Sequence, residues 1–285
     1  MIRVGMVDLS TSHPGIFAPL LAGLGWPVTV VLEPVEARAQ EFVERYPGVV
    51  VADSLAELAG LCDVVMLLGA DWDERMAQVK ALAAHEIPIF VDKPMAGTVG
   101  ELTQLAAMPV RIDGGSALRV APEAVRIRGS GPRPAVVDVS CAGHPFYYGV
   151  HAVALATAVL GPGLIAVQGE SDDLNASITG VIRHVRGTEI RVAVSAAGPA
   201  GGFQATVDSE RGIVPAAEAF YPALLQDTIP RLTTPGMDPR PGRELVECEL
   251  SLLAMAWSVS VGGKPVALDE VPDDFRPWPG RELRR

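Results

Sequence analysis

The run Ile-Phe-Val-Asp-Lys-Pro at 89–94 ends an apolar segment in an acid, a lysine and a proline. Open α/β sheets bind ligands beyond the carboxyl ends of their strands. Lys93 is therefore placed to donate to a substrate oxygen, and partial desolvation lowers a lysine pKa toward a useful range. A solvated lysine past a turn is the competing reading. A second group is Gly143-His-Pro-Phe-Tyr-Tyr-Gly-Val-His151. It sets two histidines and two tyrosines in front of an apolar helical run. Tyr147 and His151 are four residues apart and share a face if the segment is helical. His151 is the candidate proton carrier and Tyr147 its assistant. His144 and Tyr148 are candidate substrate contacts. A hydrogen-bonded core histidine is the alternative. Arg119 offers a fork of donors for a carboxylate or a sugar hydroxyl; a structural ion pair would explain it equally.

The turn after the first β-rich run reads Asp8-Leu-Ser-Thr-Ser-His13. Dinucleotide folds use three glycines here, for a tight turn, close approach of backbone to pyrophosphate, and helix packing. Aligned by the strand end, those positions hold Asp8, Ser10 and His13. Side chains at Asp8 and Ser10 hinder the approach, and an inward Asp8 repels phosphate. Ser10, Thr11, Ser12 and His13 still offer donors at a helix N-terminus, where an anion is favoured. Simple helix capping is the alternative. Glu33 ends the second run and is placed to bond an adenosine ribose, which favours NAD over NADP. Gly69 ends the fourth run beside the same crevice.

Elements must hold these residues in place. β-rich runs at 2–9, 28–33, 48–52, 63–69, 87–92 and 110–114 alternate with helical stretches at 14–24, 35–46, 71–85 and 98–107. Ser54-Leu-Ala-Glu57 reads as a capping box. Near-continuous apolar strands alternating with helices imply a parallel sheet covered on both faces. From Pro134 the strands follow one another, at 135–142, 165–170, 176–184, 189–196 and 202–208, with helices at 151–160, 217–229 and 244–259. The expected α/β architecture is an N-terminal Rossmann-type doubly wound parallel sheet over 1–117. An α+β domain with a largely antiparallel open sheet follows over 118–285. Val192, Val194, Phe203 and Val207 are expected on the open face, pairing two copies.

Composition removes other classes. The 285 residues carry a net charge of −11 and are 49 % hydrophobic, too apolar for a disordered chain. The acidic balance argues against nucleic acid or an anionic membrane surface as partner. Three distant cysteines, Cys62, Cys141 and Cys248, form neither a disulfide framework nor a zinc spacing. No metal is expected. The N-terminus lacks a signal-peptide pattern, and the apolar stretch 149–167 is broken by Gly161-Pro-Gly163. A cytoplasmic protein is expected.

Several segments resemble the Gfo/Idh/MocA oxidoreductases, the family of glucose-fructose oxidoreductase and inositol dehydrogenase. Asp92-Lys93-Pro94 looks like its Glu-Lys-Pro motif. Ser116-Ala-Leu-Arg119 before Pro122 resembles its crossing into the second domain. Gly149-Val-His151 looks like its histidine-bearing helix start, and Gly262-Gly-Lys-Pro-Val266 its C-terminal strand. Leu9-Ser-Thr-Ser-His13 is similar to a branch with a Thr-Ser-His turn. The resemblance spans nearly the whole chain. It implies Lys93 as the catalytic lysine, also lying against the cofactor, His151 as substrate-side acid/base, and a homodimer or dimer of dimers built through the C-terminal sheet. Tyr147 stands where the family commonly has Asp. Asp71, Trp72 and Arg75 stand where it commonly has Pro-Asn and His.

The expected function is hydride transfer between a nicotinamide cofactor, NAD in preference to NADP, and a small polar substrate such as a sugar, polyol or hydroxy acid. Lys93 polarises the oxygen and His151 moves the proton. The alternatives are proton chemistry without a dinucleotide, a lyase or isomerase on the same fold, and a non-catalytic ligand-binding relative.

Overall fold

The computed structural model describes residues 1–128 and 132–280. Six strands form the first sheet: β1 (Val4–Val7), β2 (Val28–Leu32), β3 (Val50–Val51), β4 (Val64–Leu67), β5 (Ile89–Val91) and β6 (Ile112–Gly114). All neighbours are parallel, in the order β3-β2-β1-β4-β5-β6. β1, β4 and β5 are buried along their whole length, as the unbroken apolar runs require of strands covered on both faces. Five helices connect them: α1 (His13–Gly23), α2 (Glu36–Arg45), α3 (Leu55–Leu61), α4 (Arg75–Ala83) and α5 (Val99–Ala106). Ser54 caps α3 by accepting from the Glu57 N–H, and Thr98 caps α5 by accepting from the Glu101 N–H. Strand order reverses between β1 and β4. That switch point opens the crevice in which such sheets bind ligands.

Gly114 and Gly115 leave β6 with φ of 136° and 77°, a path open to glycine. The chain then enters a short 3₁₀ turn, Ala117–Val120, and α6 (Pro122–Arg128). The second sheet holds β7 (Val136–Ala142), β8 (Leu164–Glu170), β9 (Ser177–His184), β10 (Glu189–Ser195), β11 (Gly201–Val207), β12 (Arg211–Ile213) and β13 (Val266–Ala267). Its order is β12-β11-β7-β10-β9-β8-β13. One pair, β7 with β10, is parallel and the others antiparallel.

Two helices cover one face, α7 (Gly149–Leu160) and α9 (Gly242–Ser260), whereas α8 (Ala217–Thr233) packs back against β4, β5 and β6 of the first sheet. Every residue of α7 is buried, the condition of a helix that is apolar all round. Gly169 and Gly180 let β8 and β9 press against α9; a Cβ on Gly180 would lie 2.9 Å from Met255 Cε.

The four residues expected on the open face lie on the other one. Val192, Val194 and Val207 are at most 8 % exposed under the helices, and the Phe203 ring sits 4.8 Å from that of His151. Strand alternation is the reason: Arg191 and Ala193 take the outward positions of β10. The C-terminal segment returns to the first domain. Trp72 Nε1 donates to the Trp278 carbonyl at 3.1 Å, and Arg276 pairs with Asp73 and Glu101. Among the described residues no helix is long and apolar enough to cross a membrane, and no group of three acidic, histidine or cysteine side chains could hold a metal.

Candidate active site

Lys93 follows β5, in a cis bond to Pro94, and is 2 % exposed. Its Nζ lies 3.1 Å from the centroid of the Tyr147 ring and 5.9 Å from that of Tyr148. Burial pulls the Lys93 ammonium down to about 7, with Asp92 resisting and Arg75 assisting. A lysine with that value exchanges protons readily near neutral pH. Behind it the buried Glu249 is pushed up to about 7 by its desolvation, and it accepts from the Met95 N–H at 3.3 Å.

His151 stands in the first turn of α7. Its Nδ1 lies 2.7 Å from Ser116 Oγ. Ser116 Oγ also accepts the Leu118 N–H at 3.2 Å, so we assign its hydroxyl proton to His151 Nδ1. That leaves the imidazole proton on Nε2. Burial, then the charges of Lys93 and His13, hold His151 well below the usual imidazole range. It is therefore a neutral donor. Burial likewise raises the Tyr147 hydroxyl above its ordinary value and keeps it protonated. The stack of the Tyr148 ring on Phe203, with centroids 6.3 Å apart, closes this side.

A second dyad lies on the nucleotide side. His13, the first residue of α1, places Nδ1 2.6 Å from Asp92 Oδ2. Burial pushes the Asp92 carboxyl up, but His13, Lys93 and Arg75 bring it below its usual range. Tyr221 of α8 reaches His13 Nε2 at 3.4 Å, and its hydroxyl is pushed by burial up to about 12.

The first turn keeps the backbone of the glycine fingerprint without the glycines. Asp8 has φ 66°, the left-handed conformation for which a first glycine is normally needed. Its Oδ1 accepts the Ser10 N–H at 2.8 Å, and its carboxylate covers Gly69, where any Cβ would collide with it. The Thr11 hydroxyl donates to the Leu68 carbonyl at 3.0 Å and accepts from the His13 N–H at 3.3 Å. The Ser12 side chain makes no capping bond.

Two expected roles meet different geometry. The Glu33 carboxylate is turned inward, accepting from Leu9 N–H (2.7 Å), Val35 N–H (2.8 Å) and Arg38 Nη2 (2.8 Å). It ties the first turn to the second rather than standing free for a ribose, though it still borders the crevice. Arg119 is engaged with carbonyls of Gly114, Glu244 and Leu245, at 3.3, 3.4 and 3.1 Å, and so pins the crossing segment to α9. It is a structural arginine here. His144 is placed structurally too: its Nδ1 accepts from Phe146 and Tyr147 N–H, both at 3.2 Å, and caps the turn into α7.

Arg75 carries the strongest signal that the sequence did not assign a role. It is 1 % exposed, donates through Nη2 to the Gly69 carbonyl, and lies within electrostatic reach of Asp92, Asp8 and Asp71. Its Nε has no partner among the described residues, and the Oε1 of Gln78, one helical turn on, has none either. Its place after the fourth strand was the one available cue.

A cavity of about 460 Å³ opens at the ends of β1 and β2. Val7, Leu32 and Val51 line it along with Asp8, Glu33 and Gln78. An apolar wall suits an adenine ring and the orphaned Gln78 oxygen suits an amino or hydroxyl donor. The orphaned Arg75 Nε lies beside the turn where phosphates would cross. The residues present therefore fit a nicotinamide dinucleotide, with its phosphate contacts moved off the glycine backbone.

Residues 2–111 match the profile of the GFO_IDH_MocA family, described as an oxidoreductase family with an NAD-binding Rossmann fold. No curated protein sequence matches the chain. Among solved structures, an oxidoreductase from Thermotoga maritima is similar at 15 % identity and TM-score 0.78, over 95 % of this chain and 99 % of its own. A putative myo-inositol dehydrogenase from Sinorhizobium meliloti aligns at 12 % identity and TM-score 0.79, over 94 % of this chain and all of its own (100 %). GenD2 from gentamicin A biosynthesis, solved with NAD, aligns at 18 % and 0.76, over 93 % and 96 %. At these identities the likeness establishes the two-domain fold. The match to that family profile covers the N-terminal domain alone, residues 2–111 of 285.

Proposed function

We propose that the protein is a nicotinamide-dependent oxidoreductase acting on a carbinol or carbonyl carbon of a small polar substrate. The observation that carries this reading is the desolvated Lys93, held near pKa 7 between Tyr147 and the dyad His13–Asp92, and within electrostatic reach of His151. A bound nicotinamide supplies the hydride acceptor or donor. Neutral Lys93 takes the hydroxyl proton as the carbonyl forms, and the ammonium returns it in the reverse direction. His151 Nε2–H and the Tyr147 hydroxyl donate hydrogen bonds to the oxygen as charge develops there. The proton thus resides on Lys93 rather than on His151, because burial makes the imidazolium costly.

The dinucleotide would be held by the cavity at the β1 and β2 ends, with Gln78 and Asp53 facing the nucleoside. Carboxylates at Asp8, Glu33, Asp53 and Glu74 surround that cavity and disfavour a 2′-phosphate, so NAD is preferred over NADP. We propose further that two copies pair through the uncovered face of the second sheet, where Ser140, Thr179 and Ala193 point outward.

A specific observation favours a second reading. The Leu9 and Ser10 N–H groups, which a glycine turn would turn toward phosphate, are bonded to Glu33 and Asp8. Proton transfer beside a carbonyl, without a dinucleotide, would use the same Lys93. Turnover assays on nucleotide-stripped protein separate the two. Hydride transfer requires added NAD(H), whereas activity that survives stripping and vanishes in Lys93→Ala selects proton chemistry.

A further inference from the structure

We infer that the Asp8 carboxylate is a built-in anion filling the phosphate cradle, and that Arg75 is the group that holds a ligand phosphate once Asp8 gives way. The inference rests on the dinucleotide reading above and concerns how this chain manages without the glycine fingerprint.

Three observations converge on one point in the crevice. Asp8 keeps the left-handed backbone of the first glycine, and its carboxylate lies over Gly69 at the β1/β4 switch point. It accepts the Ser10 N–H at 2.8 Å, a bond that a phosphate oxygen would otherwise receive. Arg75 lays its guanidinium on the Gly69 carbonyl beside it, almost wholly buried, with Nε lacking any acceptor among the described residues. A buried donor without a partner carries an unrelieved desolvation cost. A planar fork next to a small anion is the geometry that arginine uses for phosphate. Asp92 and then Asp8 offset that charge in the free protein. A pyrophosphate entering the cradle replaces the carboxylate over Gly69 and gives Arg75 the acceptor that it lacks. Asp8 thus competes with the ligand, and glycine at that position would remove the competitor while keeping a backbone that glycine adopts freely.

The test is equilibrium binding of NADH, followed by its own fluorescence, to the full chain and to Asp8→Gly, Arg75→Gln and the double variant. Adenosine, which has no phosphate, serves as the control ligand, and thermal melts confirm folding. Asp8→Gly is expected to bind NADH about tenfold more tightly, and adding Arg75→Gln to lose about tenfold again, with adenosine affinity unmoved by either. An unchanged or weakened NADH affinity in Asp8→Gly, or a gain shared equally by adenosine, overturns the inference while the dinucleotide reading stands. If Arg75→Gln does not fold, Arg75→Lys replaces it; it keeps the charge, loses the fork, and must still weaken NADH. Failure of both wild type and Asp8→Gly to bind NADH below millimolar overturns the dinucleotide reading itself.

Discussion

Lys93 is buried at 2 % exposure, its Nζ on the face of Tyr147 and, among the described residues, without a carboxylate in ion-pair range. That placement costs stability and supplies reactivity. The folded value near 7 lies below the ordinary 10.5, so the folded state binds fewer protons between those two pH values. The penalty is complete below about pH 7, where lysine is charged in both states, and fades as pH rises to 10.5. Lys93→Met should therefore stabilise the fold by roughly 2 kcal/mol at pH 7, less at pH 10, while lowering turnover about a thousandfold. Urea unfolding at both pH values and single-turnover assays check the pair of effects. The Tyr147 ring covers the Lys93 ammonium at 3.1 Å. Tyr147→Ala should let water in and shift the rising limb of the oxidation pH profile above 7, whereas Tyr147→Phe should leave it in place. The place of Lys93 beyond β5 was legible in the sequence because a strand end fixes its position. The environment of Arg119 was not, because two of its carbonyl partners, Glu244 and Leu245, lie more than a hundred residues away on α9.

At the scale of elements, the parallel sheet and its covering helices were readable because the strand runs are largely apolar and alternate with helical stretches, two of which, α3 and α5, open on a capping residue. The parallel pairing of β7 with β10 was not, since a strand's neighbours in a mixed sheet are set by packing over the chain rather than by local pattern. The face of β10 was misjudged for a related reason. Alternation gives two faces, and only the position of α7 decides which one is covered. The contact of β8 and β9 with α9 depends on two residues without side chains. Gly180→Val should shift the urea midpoint downward by the equivalent of about 2 kcal/mol, because its Cβ would collide with the Gln168 carbonyl of β8 as well as with Met255. An unchanged midpoint would show that β8 and α9 can both shift at no cost.

Across the whole molecule, the two domains are joined at the site as much as by the crossing segment. Lys93, Asp92 and His13 come from the first domain, and Tyr147, His151 and Tyr221 from the second. The C-terminal segment returns through Trp278, whose ring stacks on Phe146 at 5.2 Å and so braces the aromatic group that carries Tyr147. These long-range closures, with Arg75 and Tyr221, are what one sequence could not disclose. The central claim is that this crevice, without the glycine fingerprint and lined with carboxylates, still takes a nicotinamide dinucleotide. Titrating NADH into the intact protein tests it most directly. Saturable binding below millimolar, competed by NAD and less well by NADP, is the expected result. No saturation up to millimolar NADH would contradict it.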